Sequence, residues 1–322
     1  MSNYLVDDDI WLIGAGSMAE EYIKVLKAQS ISFKVIGRGQ ESANNLMKKT
    51  NIHVFTGGIK NVISSFNKIP SKVIVAVSVE QLFNITKELI DFGVKNILVE
   101  KPAGINLDQI KELSERAKKN NAMVFVAYNR RFYSSVAKAM EIIKDDGGVI
   151  SFNFDFTERA DIIQKIKKDS EVKKYWFFAN STHVVDLAFF IGGIPENLTA
   201  FYSRGLPWHP SASVFSGAGK TESGALFSYH SNWESPGRWA LEFFTKNYRL
   251  VFRPLEQLFI QEIGSMELQQ VEICSTVDHD YKPGLFKQVE AFLSNNIDKM
   301  LDISEYTKLS SEYYVKIANY KP

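Results

Sequence analysis

The sequence predicts an α/β protein in two parts. A doubly wound, parallel sheet occupies residues 1–127, and an α/β domain on a mostly antiparallel sheet occupies residues 128–322. Three observations predict it. Short apolar runs without alternation recur in the first part, separated by amphipathic stretches. The first run ends directly in Gly14-Ala15-Gly16. The second part opens instead on strict alternation, Ile150 to Phe156, followed by consecutive strand patterns.

In the first part, Ile10–Ile13, Phe33–Ile36, Lys72–Val77, Asn96–Val99 and Ala122–Ala127 read as strands buried on both faces. Met18–Ala28, Ser42–Lys49, Glu80–Phe92 and Leu107–Asn120 read as the helices between them. In the last, Ile110, Leu113 and Ala117 share one face, and Asn106 with Gln109 resembles a capping box. Strands alternating with crossover helices give a parallel, doubly wound order. In the second part, Leu198–Tyr202, Gly224–Trp233, Trp239–Thr245, Arg249–Phe252 and Leu268–Cys274 read as further strands, and short turns make them largely antiparallel. Helices are expected near Thr182–Ile191, Leu285–Leu293 and Ile303–Ile317. The boundary falls near Tyr128–Ser134, with no Pro/Gly linker.

With 322 residues, 45% hydrophobic and 23% charged, the chain is globular in composition and long enough for two domains. Lys plus Arg is 38 against 37 for Asp plus Glu, so the basic excess of a nucleic-acid binder is missing. The lone Cys274 excludes an intrachain disulfide. Met1–Asp9 carry no leader pattern, and no apolar run reaches about 18 residues. The expectation is a cytoplasmic protein that does not enter a membrane. His209, His230 and His279 lack metal-ligand spacing, so no metal is expected.

Gly14-Ala15-Gly16-Ser17-Met18-Ala19 fits G-x-G-x-x-G/A between a buried strand and a helix. The first glycine permits the tight turn, and the second lets a pyrophosphate approach the backbone. Ala19 allows close helix–strand packing, and the helix N-terminus offers N–H groups to the anion. A dinucleotide is therefore the expected cofactor. The second strand ends in Gly37-Arg38 with no carboxylate. Arg38 suits a 2′-phosphate and its plane can lie over adenine, with hydrogen bonds from Ser42 and Gln40, which favours NADP. The other reading leaves Arg38 in solvent, gives the ribose to Glu41, and keeps NAD open. Glu100-Lys101-Pro102 follows a buried strand, at the sheet end where such folds bind ligands. A cis Lys101–Pro102 bond costs only about 0.5–1 kcal/mol and would turn the lysine towards the cofactor.

These segments resemble the Gfo/Idh/MocA oxidoreductase family. The likeness lies in GAGSMA (Gly14 to Ala19), VEKPAG (Val99 to Gly104), VAYNRRF (Val126 to Phe132), THVVDL (Thr182 to Leu187) and GLFKQVEAFL (Gly284 to Leu293). The resemblance implies an N-terminal Rossmann domain and a C-terminal domain whose large, open sheet makes homodimers or homotetramers. It implies that Lys101 hydrogen-bonds the reacting hydroxyl or carbonyl and relays its proton, helped by burial that lowers an amine's pKa. Glu100 would position it and meet the nicotinamide ribose. Gly14, Ala15, Gly16, Ser17, Met18, Arg38, Ser42, Val77, Ser78, Glu100 and Lys101 are the expected cofactor contacts.

The family pattern Asp-x-Gly-x-His-x-x-Asp matches at His183 and Asp186, but Ala179 stands where its first aspartate belongs, with Asn180 beside it. Three readings stay open. His183 with Lys101 suffices; or the enzyme runs as a reductase with one of them as proton donor; or the chain is a non-catalytic NADP-binding regulator. The loop Val77-Ser78-Val79-Glu80-Gln81-Leu82 also departs from the family's Thr-Pro-Asn and histidine, so only backbone contacts are expected there. Asn129, Arg131, Trp176, Asn180 and His183 are the expected substrate contacts, with an arginine for an anionic substituent. For Arg130 an interdomain salt bridge is an equal alternative. The basic stretch Arg159 to Lys174 would draw in a phosphorylated sugar or lie as a solvated face. The activity this implies is hydride transfer between nicotinamide and a carbohydrate-type secondary alcohol or ketone, such as a sugar nucleotide for polysaccharide synthesis. A free polyol or deoxysugar is the alternative substrate.

Overall fold

A computed structural model describes residues 5–7, 10–274 and 276–321 of the chain. The leader reading rests on Met1–Asp9, of which residues 1–4, 8 and 9 lie outside the described residues. The chain divides into two units. The first runs to Tyr128 and takes in Leu285–Lys308; the second comprises Asn129–Gly284 and the chain from Leu309.

The first unit opens with β1 (Leu5–Asp7), β2 (Ile10–Ile13), β3 (Phe33–Ile36), β4 (Val54–Phe55), β5 (Lys68–Pro70), β6 (Val73–Val75), β7 (Asn96–Glu100) and β8 (Met123–Ala127). β1 and β5 form a parallel pair of their own. The main sheet runs Leu301–Asp302, β8, β7, β6, β2, β3, β4, parallel except for the antiparallel Leu301–Asp302 edge. β2 and β6 are buried throughout, as their unalternated apolar runs require of strands covered on both faces. Helices α1 (Ser17–Ala28), α2 (Gln40–Thr50), α3 (Gly58–Phe66), α4 (Val79–Asp91) and α5 (Leu107–Lys119) connect them. α5 starts where the cap pattern put it: Asn106 Oδ1 accepts from Gln109 N at 3.1 Å, and Gln109 Oε1 accepts from Ile105 N at 2.8 Å. The strand order reverses at β2, whose neighbours are β3 and β6, and this leaves a crevice at their carboxyl ends.

The second unit carries α6 (Ser134–Asp145), β9 (Ser151–Asp155), α7 (Ala160–Ile163), α8 (Ser170–Lys174) and a π turn, Phe177–Ser181, running into α9 (Thr182–Gly192). Then come β10 (Pro195–Ser203), β11 (Val214–Thr221), β12 (Leu226–Asn232), β13 (Ala240–Phe244), β14 (Tyr248–Phe252), β15 (Phe259–Glu262) and β16 (Gln269–Gln270). The eight-stranded sheet is ordered β10-β11-β12-β9-β13-β14-β15-β16, antiparallel except for β12 with β9. Alternation in β9 buries Phe152 and Phe154. Phe152 stacks on Phe227 and Phe243, and Phe154 stacks on Tyr229 and meets Phe189 of α9 edge-on. A Cβ on Gly192 would stand 2.4 Å from the Phe152 ring, so α9 lies this close only because Gly192 has no side chain.

Four expectations change. Leu268–Cys274 shrinks to β16, an exposed edge with no further strand to pair. β11 and β15 were not expected. In β11, Gly217 and Gly219 read as breakers, yet they make room for the Tyr229 and Phe227 rings of the next strand. The Ile303–Ile317 helix divides into α12 (Ile303–Leu309), a π turn over Ser310–Tyr314 and α13 (Val315–Ala318). α10 (Thr276–Asp280) precedes α11 (Leu285–Ser294), and α11 belongs to the first unit together with Ile303–Lys308 of α12. Lys72 Nζ holds it there by donating to the carbonyls of Phe292 (2.8 Å) and Leu293 (2.6 Å) at its C-terminus and to Asn295 Oδ1 (2.8 Å).

Candidate active site

The turn after β2 fits a dinucleotide diphosphate. Gly14 has φ +134°, and a Cβ there would stand 2.2 Å from the carbonyl oxygen of Ala76, at the end of β6. Gly16 is the opposite case, with nothing within 4 Å of an added Cβ, so its backbone borders open space. It caps α1 without a side chain, and Ala19 is fully buried under the helix. Open space before the N-terminus of a twelve-residue helix is what a diphosphate needs. Ser17 and Met18 begin that helix, and Ala15 stands between the two glycines. Val77 and Ser78 form the turn after β6, and Ser78 caps α4 with extended backbone.

Arg38 is exposed, one residue beyond Gly37 at the end of β3. Its Nη1 donates to Gln81 Oε1 at 3.3 Å, which ties the loop after β3 to the first turn of α4. Gln81 was not singled out in the sequence, because only the fold brings α4 beside this loop. Ser42 Oγ donates to Gly39 O at 3.1 Å, and Gln40 Nε2 donates to Asn44 Oδ1 at 2.8 Å.

Glu100 ends β7, and half-buried Lys101 follows it. The Lys101–Pro102 peptide is cis. Tyr22, fully buried on α1, donates its hydroxyl to Glu100 Oε1 at 2.8 Å. Burial first, then the Glu100 charge, push the Tyr22 phenol well above its ordinary pKa. The tyrosine thus stays a donor and ties the helix that follows the glycine turn to the Glu100-Lys101 strand end. Tyr22 carried no motif signal; its place on the inner face of α1 reads only as core.

The second unit gathers a polar cluster at the carboxyl end of β9. Glu158 is 2% exposed and accepts from Asn180 Nδ2 at 2.9 and 3.1 Å and from Ser181 Oγ at 2.8 Å. Asn180 and Ser181 end the π turn that leads into α9, and His183, 7% exposed, lies on the first turn of that helix. The His183 ring sits 6.2 Å from Trp239. A carboxylate therefore stands beside Asn180 although Ala179 supplies none. The sequence reading missed it because Glu158 lies 22 residues away; its only local signal is a carboxylate just past an alternating strand.

Three expected substrate contacts are otherwise engaged. Arg131 is buried in a two-pronged ion pair with Asp186: Nε to Oδ2 at 2.9 Å and Nη2 to Oδ1 at 2.7 Å. Those two donors of Arg131, an expected substrate contact, are therefore engaged inside the fold rather than open to a substrate anion. Trp176 is only 8% exposed and meets Trp208 edge-on, so it packs as a core residue rather than as an open platform. Asn129 is buried and donates Nδ2 to Pro283 O at 2.8 Å. The basic stretch is mostly exposed, with Lys173 and Lys174 bonded to Gln164 O and Glu171. Arg130, not Arg131, stands without an ion pair among the described residues; its guanidinium lies 5.0 Å from the Trp239 ring centre. Among the described residues no cluster of His, Cys, Asp or Glu could hold a metal, and no helix is long and apolar enough to cross a membrane.

The fold and the glycine turn define an NAD(P)-binding oxidoreductase domain. Residues 9–128 match the family model GFO_IDH_MocA, described as oxidoreductase family, NAD-binding Rossmann fold. No curated protein matches the sequence. Among solved structures, levoglucosan dehydrogenase in complex with NADH and levoglucosan is 17% identical, with 97% of this chain and 96% of that chain covered and a TM-score of 0.77. An oxidoreductase from Agrobacterium radiobacter in complex with NAD+, L-tartaric acid and magnesium is 15% identical, with coverage of 99% and 98% and a TM-score of 0.77. The WlbA dehydrogenase from Chromobacterium violaceum, in complex with NADH and UDP-GlcNAcA, is 14% identical, with coverage of 98% and 95% and a TM-score of 0.71. At these identities the likeness is one of fold, and it extends over both units.

Proposed function

We propose that this protein is an NADP-preferring oxidoreductase acting on a carbohydrate-type secondary alcohol or its ketone, with a sugar nucleotide as the favoured substrate class. The observation that carries this reading is that Gly14-Ala15-Gly16 and Glu100-Lys101 stand at the carboxyl ends of β2 and β7 in one sheet, with only β6 between them. Bound NADP supplies the hydride donor or acceptor at its nicotinamide. Lys101 holds the reacting oxygen and carries its proton: its ammonium stabilises a developing alkoxide and returns a proton when a ketone is reduced. Glu100, held by Tyr22, orients Lys101. Arg38 pairs with the 2′-phosphate. In the second unit His183 and Asn180 bind substrate hydroxyls, and Glu158 supplies the carboxylate that Ala179 does not. WlbA and levoglucosan dehydrogenase, whose folds this chain shares, carry UDP-GlcNAcA and levoglucosan, which supports a carbohydrate ligand here. Assembly into a homodimer or homotetramer through the large sheet belongs to the same reading, and Phe201, Tyr202 and Leu226 are exposed on its strands.

The test is nicotinamide absorbance followed with NADP and NADPH over a panel of sugar nucleotides, free sugars, polyols and deoxysugars. Substrate-dependent turnover with at least one member is expected. Tight NADPH binding with no turnover on any member would favour the regulator reading, which Ala179 keeps in view.

A further inference from the structure

In the second unit one tryptophan ring carries two guanidinium groups. Arg238 Cζ lies 4.3 Å from the centre of the Trp239 ring, and Arg130 Cζ lies 5.0 Å from it. Arg130 also lies 6.0 Å from the Tyr133 ring. Stacking of this kind holds a guanidinium flat and leaves its N–H edge for a planar or tetrahedral anion.

The donors at this place are unmatched. Arg130 Nε is shielded from solvent and has no hydrogen-bond partner, and the same is true of Trp239 Nε1. Among the described residues no carboxylate comes within ion-pair distance of Arg130. Glu158 and Glu256 act on it only at longer range, while Arg238 opposes them. Burial lowers the Arg130 pKa from its ordinary value. A shielded guanidinium N–H and a shielded indole N–H without acceptors are costly, and such groups call for an acceptor from water or a ligand. Arg131, the neighbouring residue, shows the contrast: Asp186 fills its fork inside the fold.

We propose that Arg130, Arg238 and Trp239 form a binding site for an acidic group, a carboxylate or a phosphate, borne by the sugar substrate. The site rests on the carbohydrate reading only for the ligand being a sugar. The Trp239 ring also stands 6.2 Å from His183, so an acid held there lies next to the helix turn that carries His183.

The test is calorimetric titration of the full-length, NADPH-saturated protein with glucose, glucuronate and glucose 1-phosphate. At least one acidic sugar is expected to bind about tenfold or more tightly than glucose, the worth of one charge-assisted hydrogen bond. Tighter binding of glucuronate assigns the site to a carboxylate, and tighter binding of glucose 1-phosphate assigns it to a phosphate. Arg130→Met is expected to bring the acid down to the affinity of glucose without changing NADPH affinity, and Arg130→Lys to keep part of the preference. Equal binding of all three sugars by the unmodified protein overturns the proposal, and so does a preference that survives in Arg130→Met. The unmodified protein decides the matter if a variant fails to fold. Charge-selective binding without turnover keeps this site and removes the oxidoreductase reading. Turnover with no preference for acids does the reverse.

Discussion

At Gly14 the fold leaves room for a hydrogen atom and nothing larger, because the carbonyl of Ala76 occupies the place of a Cβ. At Gly16 the space is open, and openness is what a diphosphate requires. The same two letters in the sequence thus serve one packing purpose and one binding purpose. Tyr22 shows the reverse: a residue that looks like core carries the hydrogen bond to Glu100. In the proposed function, cofactor choice turns on Arg38. It is exposed and, among the described residues, held only by Gln81, which leaves its guanidinium available to a 2′-phosphate in that reading. Replacing Arg38 with alanine should raise the NADPH dissociation constant by about tenfold, the lower end for a charged hydrogen bond at an exposed site, and leave NADH unchanged. Fluorescence titration of both cofactors checks this. An unchanged ratio of the two affinities moves the ribose end to Glu41.

Among the elements, the C-terminal segment after α13 locks the second unit through one imidazole. The His209 ring is buried, with Nδ1 at 2.7 Å from Ala212 O and Nε2 at 2.8 Å from the Tyr320 hydroxyl, which in turn accepts from Phe177 N at 3.2 Å. A neutral ring with its proton on Nδ1 satisfies all three bonds. Burial pushes the His209 pKa down to about 4. The unfolded chain takes up this proton near pH 6.5 and the folded chain only near pH 4, so the stability His209 contributes is full above pH 6.5. It is lost as pH falls towards 4, by about 3 kcal/mol at most. Urea midpoints measured between pH 7 and 4.5 should fall with pH, and His209→Phe should flatten that slope; an equally steep slope in the variant contradicts the assignment. Nothing local in the sequence announces this lock, since its partners lie 111 residues apart. The first unit was legible because each strand is a short unalternated run beside its own helix. β1, β4, α3, β5 and the Leu301–Asp302 edge escaped, and so did the return of α11 to this unit. In the second sheet the glycines of β11 hid a strand, because their purpose is room for rings on β12.

At the scale of the whole molecule the candidate site residues are divided between the units. The first unit holds the glycine turn, Arg38, Glu100 and Lys101, and the second holds Glu158, Asn180, His183 and Arg130. The first set is readable in sequence because a strand, a turn and a helix N-terminus are local patterns. The second is readable only where a residue and its neighbours in the chain do the work, as at His183. Glu158 meets Asn180 across 22 residues, and the difference between Arg130 and Arg131 is set by Asp186, 55 residues on. The account as a whole depends on Lys101 handling the proton while the glycine turn holds the cofactor. The direct measurement is Lys101→Ala, compared with the unmodified protein in NADPH affinity and in turnover of an active carbohydrate. The account predicts that the variant still binds NADPH while turnover falls by about 10²–10⁴-fold, the usual range for a proton-transferring side chain. Undiminished turnover in that variant would contradict it.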